Sequence, residues 1–216
     1  MAALNPNSPF FHEERHRPVE AFAGKLITVC GAGALGGNVA ETLARMGCSR
    51  LRVVDRDRVE MRNLSTQPYL CAKVGSPKAR ALANTLYRAV QTKVEPVVAE
   101  LTAANAAKLL AGSDLIVDAF DNRAARAAVS AAAIDAGLPC LHVGFSGDGL
   151  YGNGIWEPGY RVPSETAGDP CDYPLTRPLA LTLAAIAARA VVDFFVTGSC
   201  LDFELTWNDL KITLGQ

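Results

Sequence analysis

The sequence predicts an α/β fold, a doubly wound and mostly parallel sheet with antiparallel strands at its C-terminal end. Three observations carry that prediction. Short apolar runs alternate with segments of helical periodicity along most of the 216-residue chain, and such alternation builds parallel strands joined by right-handed crossovers. Gly31-Ala32-Gly33-Ala34-Leu35-Gly36 stands between the first apolar run and the first helical segment, where a strand turns into a helix in sheets of this kind. Segments 143–156 and 203–214 instead alternate apolar and polar residues around turn signals, which is the pattern of hairpins.

Taken in order, residues 1–23 carry Pro6, Pro9 and Pro18 and little periodicity. They read as an N-terminal arm or short helix outside the core, with a single domain over 24–216. Strands are expected at 26–30, 51–54, 94–98, 114–118 and 139–143, and helices at 35–46, 78–91, 103–111 and 122–136. The Gly-rich stretch 143–156 reads as a hairpin edge. Residues 158–178, rich in Pro, Gly and polar side chains, read as a mobile crossover loop. The most apolar helix follows at 179–196; Arg189 and Asp193 interrupt it, so it reads as a buried globular helix rather than a membrane span. The last hairpin turns at Asn208-Asp209.

Composition narrows the class. The length suits one sizeable core. Half of the residues are hydrophobic, 20% are charged, and the net charge is −1, which gives no electrostatic case for nucleic acid or a membrane surface. No N-terminal apolar signal is present, so a cytoplasmic setting with reduced thiols is expected for the six scattered cysteines. None forms a Cys-x-x-Cys pair, and no structural zinc is expected.

The motifs then specify chemistry. Gly31 permits a tight turn, Gly33 lets backbone approach a phosphate, and Gly36 lets helix pack close on strand, while the helix N-terminus offers N–H groups to an anion. Asp55 ends the second strand and suits ribose hydroxyls. A polar arm follows, with Asp57, Asn63, Gln67 and, just past Pro77, Lys78; a further strand runs into Asp118-Ala119-Phe120-Asp121-Asn122. Cationic and amide groups beside an extra carboxylate suit a triphosphate with a metal ion better than a hydride carrier.

These motifs, in this order and spacing, resemble the adenylating domain shared by MoeB, ThiF and the ubiquitin-activating enzymes, over residues 26 to about 145. The resemblance implies a Rossmann-like fold and ATP with Mg2+ as the bound species. It implies that Gly31, Gly33, Gly36 and Lys78 meet the phosphates, that Asn63 and Gln67 orient them, and that Asp55 binds the ribose. Asp57 either supports that loop or is a solvated turn residue. Asp121 resembles the family's magnesium ligand; Asp118 either joins the site or holds the loop. The implied reaction is adenylation of the C-terminal glycine of a small ubiquitin-like protein, with pyrophosphate leaving.

Two departures stand out. Thr66 occupies a position where the family carries Arg, whose role passes either to Arg62 or to a basic residue elsewhere. Zinc cysteines are missing. Family homodimers insert an N-terminal Arg into the partner's site, which makes Arg15 and Arg17 candidates beside the alternative of a solvated charged arm. Cys171, shortly before the long helix, resembles the crossover-loop cysteine that takes the acyl group as a thioester and passes it to a conjugating enzyme. Arg177 and the helix start favour its thiolate, and Asp169 and Asp172 oppose it. The other readings are adenylation of a sulfur carrier of the ThiS or MoaD type without a thioester, an inactive scaffolding subunit of a heterodimer, and a dinucleotide-dependent oxidoreductase. Cys30, Cys140 and His142 read as core or core-edge residues.

Overall fold

The computed structural model describes residues 5–164 and 173–215. Its strands are β1 (Leu26–Cys30), β2 (Arg50–Val54), β3 (Lys93–Val97), β4 (Leu115–Asp118), β5 (Cys140–Phe145), β6 (Tyr151–Trp156), β7 (Phe203–Thr206) and β8 (Lys211–Leu214). They form one sheet in the order β3-β2-β1-β4-β5-β6-β7-β8. The pairs from β3 to β5 are parallel, and those from β5 to β8 are antiparallel. The expected α/β class, with parallel strands first and hairpins last, is what the chain adopts.

The helices are α1 (Phe11–His16), α2 (Ala34–Arg45), α3 (Lys78–Val90), α4 (Ala106–Leu110), α5 (Arg123–Ala136) and α6 (Arg177–Thr197). Helices α3 and α6 pack on α2, and α4 packs on α5. Two apolar clusters result. One gathers Ile27, Val29, Val39, Leu43, Leu82, Leu183 and Val191; the other gathers Cys30, Val54, Leu110, Ile116, Val129 and Cys140. Alternate residues of β1 thus serve opposite faces, and the whole strand is buried.

Strand order reverses at β1, whose neighbours are β2 on one side and β4 on the other. The register sets Cys30 opposite both Val54 and Asp118. The turns leaving β1, β2 and β4 therefore open at one level, at the crevice where sheets of this topology hold ligands.

One expectation needs correction. The N-terminal segment does not stay outside the core: α1 buries nothing, but Val19 and Phe22 are buried and belong to the larger cluster. A side chain at Gly47 would come within 2.7 Å of Val19. Helix α6 packs as the buried globular helix expected, although its length and composition alone would let it cross a membrane. One face lies in the core through Leu179, Ala180, Leu183, Ala184, Ala187, Ala188, Val191 and Val192.

Candidate functional site

The site grows from the turn after β1. Gly31 holds φ +93°, a left-handed backbone that side-chain-bearing residues rarely adopt. A Cβ at Gly36 would fall 2.1 Å from the Gly31 carbonyl oxygen, so only glycine lets α2 start this close to β1. At Gly33 a Cβ would meet nothing within 4 Å: the space in front of the turn is open. No side chain caps the N-terminus of α2, which leaves its first N–H groups and its positive dipole end facing that space.

Asp55 braces the turn. Its Oδ2 accepts the Ala32 N–H at 2.7 Å, and its Oδ1 accepts the Asp57 N–H at 2.6 Å. Desolvation by burial holds its pKa above the ordinary value of 3.8, against those two hydrogen bonds and the charge of Lys78. Lys78 begins α3 and is 8% exposed, although it is a lysine; its Nζ lies 3.5 Å from Asp57 Oδ2, and its N–H donates to the Asp57 carbonyl at 2.8 Å. The enclosed Lys78 ammonium, paired with Asp57, and the uncapped start of α2 are the groups here that favour an anion. Gly31, Gly33, Gly36, Asp55, Asp57 and Lys78 are thus brought together.

The polar arm is placed differently. Asn63 and Glu60 cap each other across a short turn, Asn63 Oδ1 accepting the Glu60 N–H at 2.9 Å. Asn63 therefore has its amide nitrogen to offer a phosphate, not its oxygen. Gln67 Oε1 is buried with no protein partner, as expected of a side chain poised for a ligand or water. The Thr66 carbonyl accepts from Asn38 of α2 at 2.8 Å, and Arg62 pairs with Glu60 at 2.7 Å. Sequence reasoning missed Tyr69, which is buried and donates its hydroxyl to the Ala32 carbonyl at 2.7 Å. No spacing could have announced that contact, because it joins residues on separate elements.

Asp121 is exposed beyond the end of β4, and Asn122 caps α5 by accepting the Ala125 N–H at 2.9 Å. The exposed Asp121 carboxylate, on the turn whose Ala119 carbonyl packs against Gly31, is a donor of the kind magnesium takes, one or two carboxylates with phosphate oxygens. Among the described residues, no three His, Cys, Asp or Glu side chains converge as a metal site. Asp118 corrects the expectation of a cofactor contact. It is fully buried and bound to His142 and to the Phe120 N–H, so it holds the loop. Arg15 lies over the Phe11 ring at 5.6 Å, and Arg17 pairs with Glu13 at 3.2 Å; within one chain neither joins the crevice. Cys171, Asp169 and Asp172 lie outside the described residues.

A reversed parallel sheet with a glycine turn, a braced acid and an enclosed lysine at its crevice defines a Rossmann-like domain built around an anionic ligand. The ThiF family model matches residues 11–155, and the chain belongs to that family. It is 39% identical over 119 residues to "SAMP-activating enzyme E1" of Haloferax volcanii, covering 54% of this chain and 44% of that one. It is 38% identical over 119 residues to "Sulfur carrier protein ThiS adenylyltransferase" of Bacillus subtilis, covering 53% and 35%. The chain thus matches less than half the length of these relatives. Among solved structures, Escherichia coli MccB with ATP superposes with a TM-score of 0.78 at 18% identity, over 98% of this chain and 72% of MccB, a likeness of fold.

Proposed function

We propose that this chain is an ATP-dependent adenylyltransferase acting on the C-terminal glycine of a small ubiquitin-like protein. The observation that carries the reading is the convergence of the open Gly33 turn, the uncapped α2 N-terminus and the enclosed Lys78 Nζ at the sheet's reversal point. The activating enzyme of Haloferax volcanii and the adenylyltransferase of Bacillus subtilis, by their names, support the same chemistry. In this reading the α2 N–H groups and Lys78 hold the phosphates, Asp55 and Asp57 order the ribose side, and Asn63 and Gln67 orient the chain of phosphates. Asp121 would hold magnesium, which supplies charge neutralisation on the departing pyrophosphate. The substrate's C-terminal carboxylate oxygen bonds to the α-phosphorus, the bond to the β-phosphate oxygen breaks, and an acyl-adenylate and pyrophosphate result.

The chain would act as one domain that includes Val19 and Phe22, paired as a homodimer in which Arg15 or Arg17 reaches the partner's nucleotide. Transfer of the acyl group to Cys171, and from there to a conjugating enzyme, completes the proposal; the absence of a Cys-x-x-Cys pair and Thr66 in place of Arg support it over plain adenylation. The second reading, a sulfur carrier activated without a thioester, is supported by the Bacillus relative's name.

ATP–pyrophosphate exchange with a candidate Gly-Gly protein tests the first step, and non-reducing gels test the second. Lys78→Ala is expected to lower exchange about 100-fold. A thiol-sensitive adduct that disappears in Cys171→Ala supports the thioester; partner-dependent exchange with no adduct leaves the sulfur-carrier reading. No exchange with any Gly-Gly partner would sink both.

A further inference from the structure

Behind the nucleotide crevice lies a polar cluster that the proposed chemistry does not touch. His142 of β5 is buried, with Nδ1 2.8 Å from Asp118 Oδ2 and Nε2 3.0 Å from Glu157 Oε1. The Asp118 and His142 side chains are 0% exposed and that of Glu157 is 6% exposed. Tyr160 stacks on the imidazole, with ring centroids 3.7 Å apart and planes 2° from parallel. Arg126 of α5 donates to the Val143 carbonyl at 2.6 Å and to the Tyr160 hydroxyl at 3.2 Å, and lies 3.7 Å from Asp118 Oδ2. Ser130 donates to Glu157. A neutral imidazole has one N–H, so two ring–carboxylate contacts require one further proton, held on the ring or on a carboxyl. Buried ionisable groups persist only when paired in this way.

Asp118 has a second contact, and it faces the site. Its Oδ1 accepts the Phe120 N–H at 3.1 Å, at the start of the turn that carries Asp121. The Ala119 N–H donates to the Cys30 carbonyl at 2.9 Å, and the Ala119 carbonyl lies where a Gly31 side chain would be, 3.0 Å from its Cβ position. One oxygen of a single carboxylate therefore shapes the 118–122 turn against the glycine turn, and the other oxygen is fixed by His142.

We propose that His142 is a positioning residue for the 118–122 turn. Its bond to Asp118 sets the turn that presents Asp121 beside the glycine turn, and its bond to Glu157 ties that turn to the segment leaving β6. The consequence for ATP rests on the function proposed above; the positioning itself does not.

Two half-isosteres separate the bonds. In His142→Asn the amide nitrogen stands near the ring Nδ1 and keeps a donor for Asp118. In His142→Gln it stands near Nε2 and keeps a donor for Glu157 alone. Amide hydrogen exchange of Phe120 is measured without nucleotide, and magnesium-ATP affinity is measured by calorimetry on the same samples. His142→Gln is expected to raise Phe120 exchange about tenfold and to weaken ATP about tenfold; His142→Asn is expected to return both to within about threefold of native. Equal behaviour of the two variants, or unchanged Phe120 exchange in His142→Gln, overturns the proposal. If His142→Gln does not fold, the native protein still decides: Phe120 should be protected at least about 100-fold, and exchange at the unprotected rate overturns the clamp. A native protein that binds no ATP overturns the proposed function and leaves exchange to judge His142.

Discussion

Asp55 joins two loops before any ligand arrives, since each of its oxygens takes a backbone N–H from a different turn. Its folded pKa lies above 3.8 because burial outweighs those bonds and Lys78. The sign follows directly. A carboxyl whose pKa is raised on folding favours the fold fully below 3.8, and that contribution is lost as pH rises through the folded value. Native protein should therefore lose thermal stability relative to Asp55→Asn as pH rises from 3.8, followed by paired melting curves; a gap moving the other way would show that the hydrogen bonds dominate. Asp55 was legible in the sequence because motif and strand end coincide. Tyr69 and the His142 cluster were not. The cluster is assembled from positions 118, 142 and 157, on elements that only the folded sheet brings together.

At the scale of elements, the two glycines of one turn separate packing from binding. Gly36→Ala drives a methyl into the Gly31 carbonyl, and overpacking of this kind costs about 1–3 kcal/mol. Gly33→Ala meets open space and should cost less than about 1 kcal/mol of stability, yet it should weaken ATP binding about tenfold by blocking the approach of a phosphate. Urea unfolding and nucleotide titration of both variants check this pair, and comparable losses of stability would contradict it. The strands were readable because apolar runs in a parallel sheet are bounded by turn chemistry: β1 spans Leu26–Cys30 as expected. Helix α4 is shorter than its 103–111 pattern because Asn105 takes the Thr102 N–H at 2.8 Å and holds the preceding residues in a turn. Side-chain competition with the backbone overrode periodicity there.

Across the whole molecule, the N-terminal segment was the least legible part. Its prolines and lack of period hid a residue, Phe22, that is fully buried in the larger cluster. Phe22→Ala should lower unfolding free energy by about 3–5 kcal/mol; a loss below about 1 kcal/mol in denaturant titration would mean that the segment is not part of the core. The sheet has two unlike borders. On β3, the Val97 carbonyl accepts from Asp55, so alternation turns Pro96 outward, where it interrupts the row of free donors with a residue that has none. On β8 all four residues are exposed, Ile212 and Leu214 among them, and no proline intervenes. An added strand would thus meet a missing donor at the β3 rim and, among the described residues, an unbroken row at the β8 rim, the border separated from β1 by β4, β5, β6 and β7.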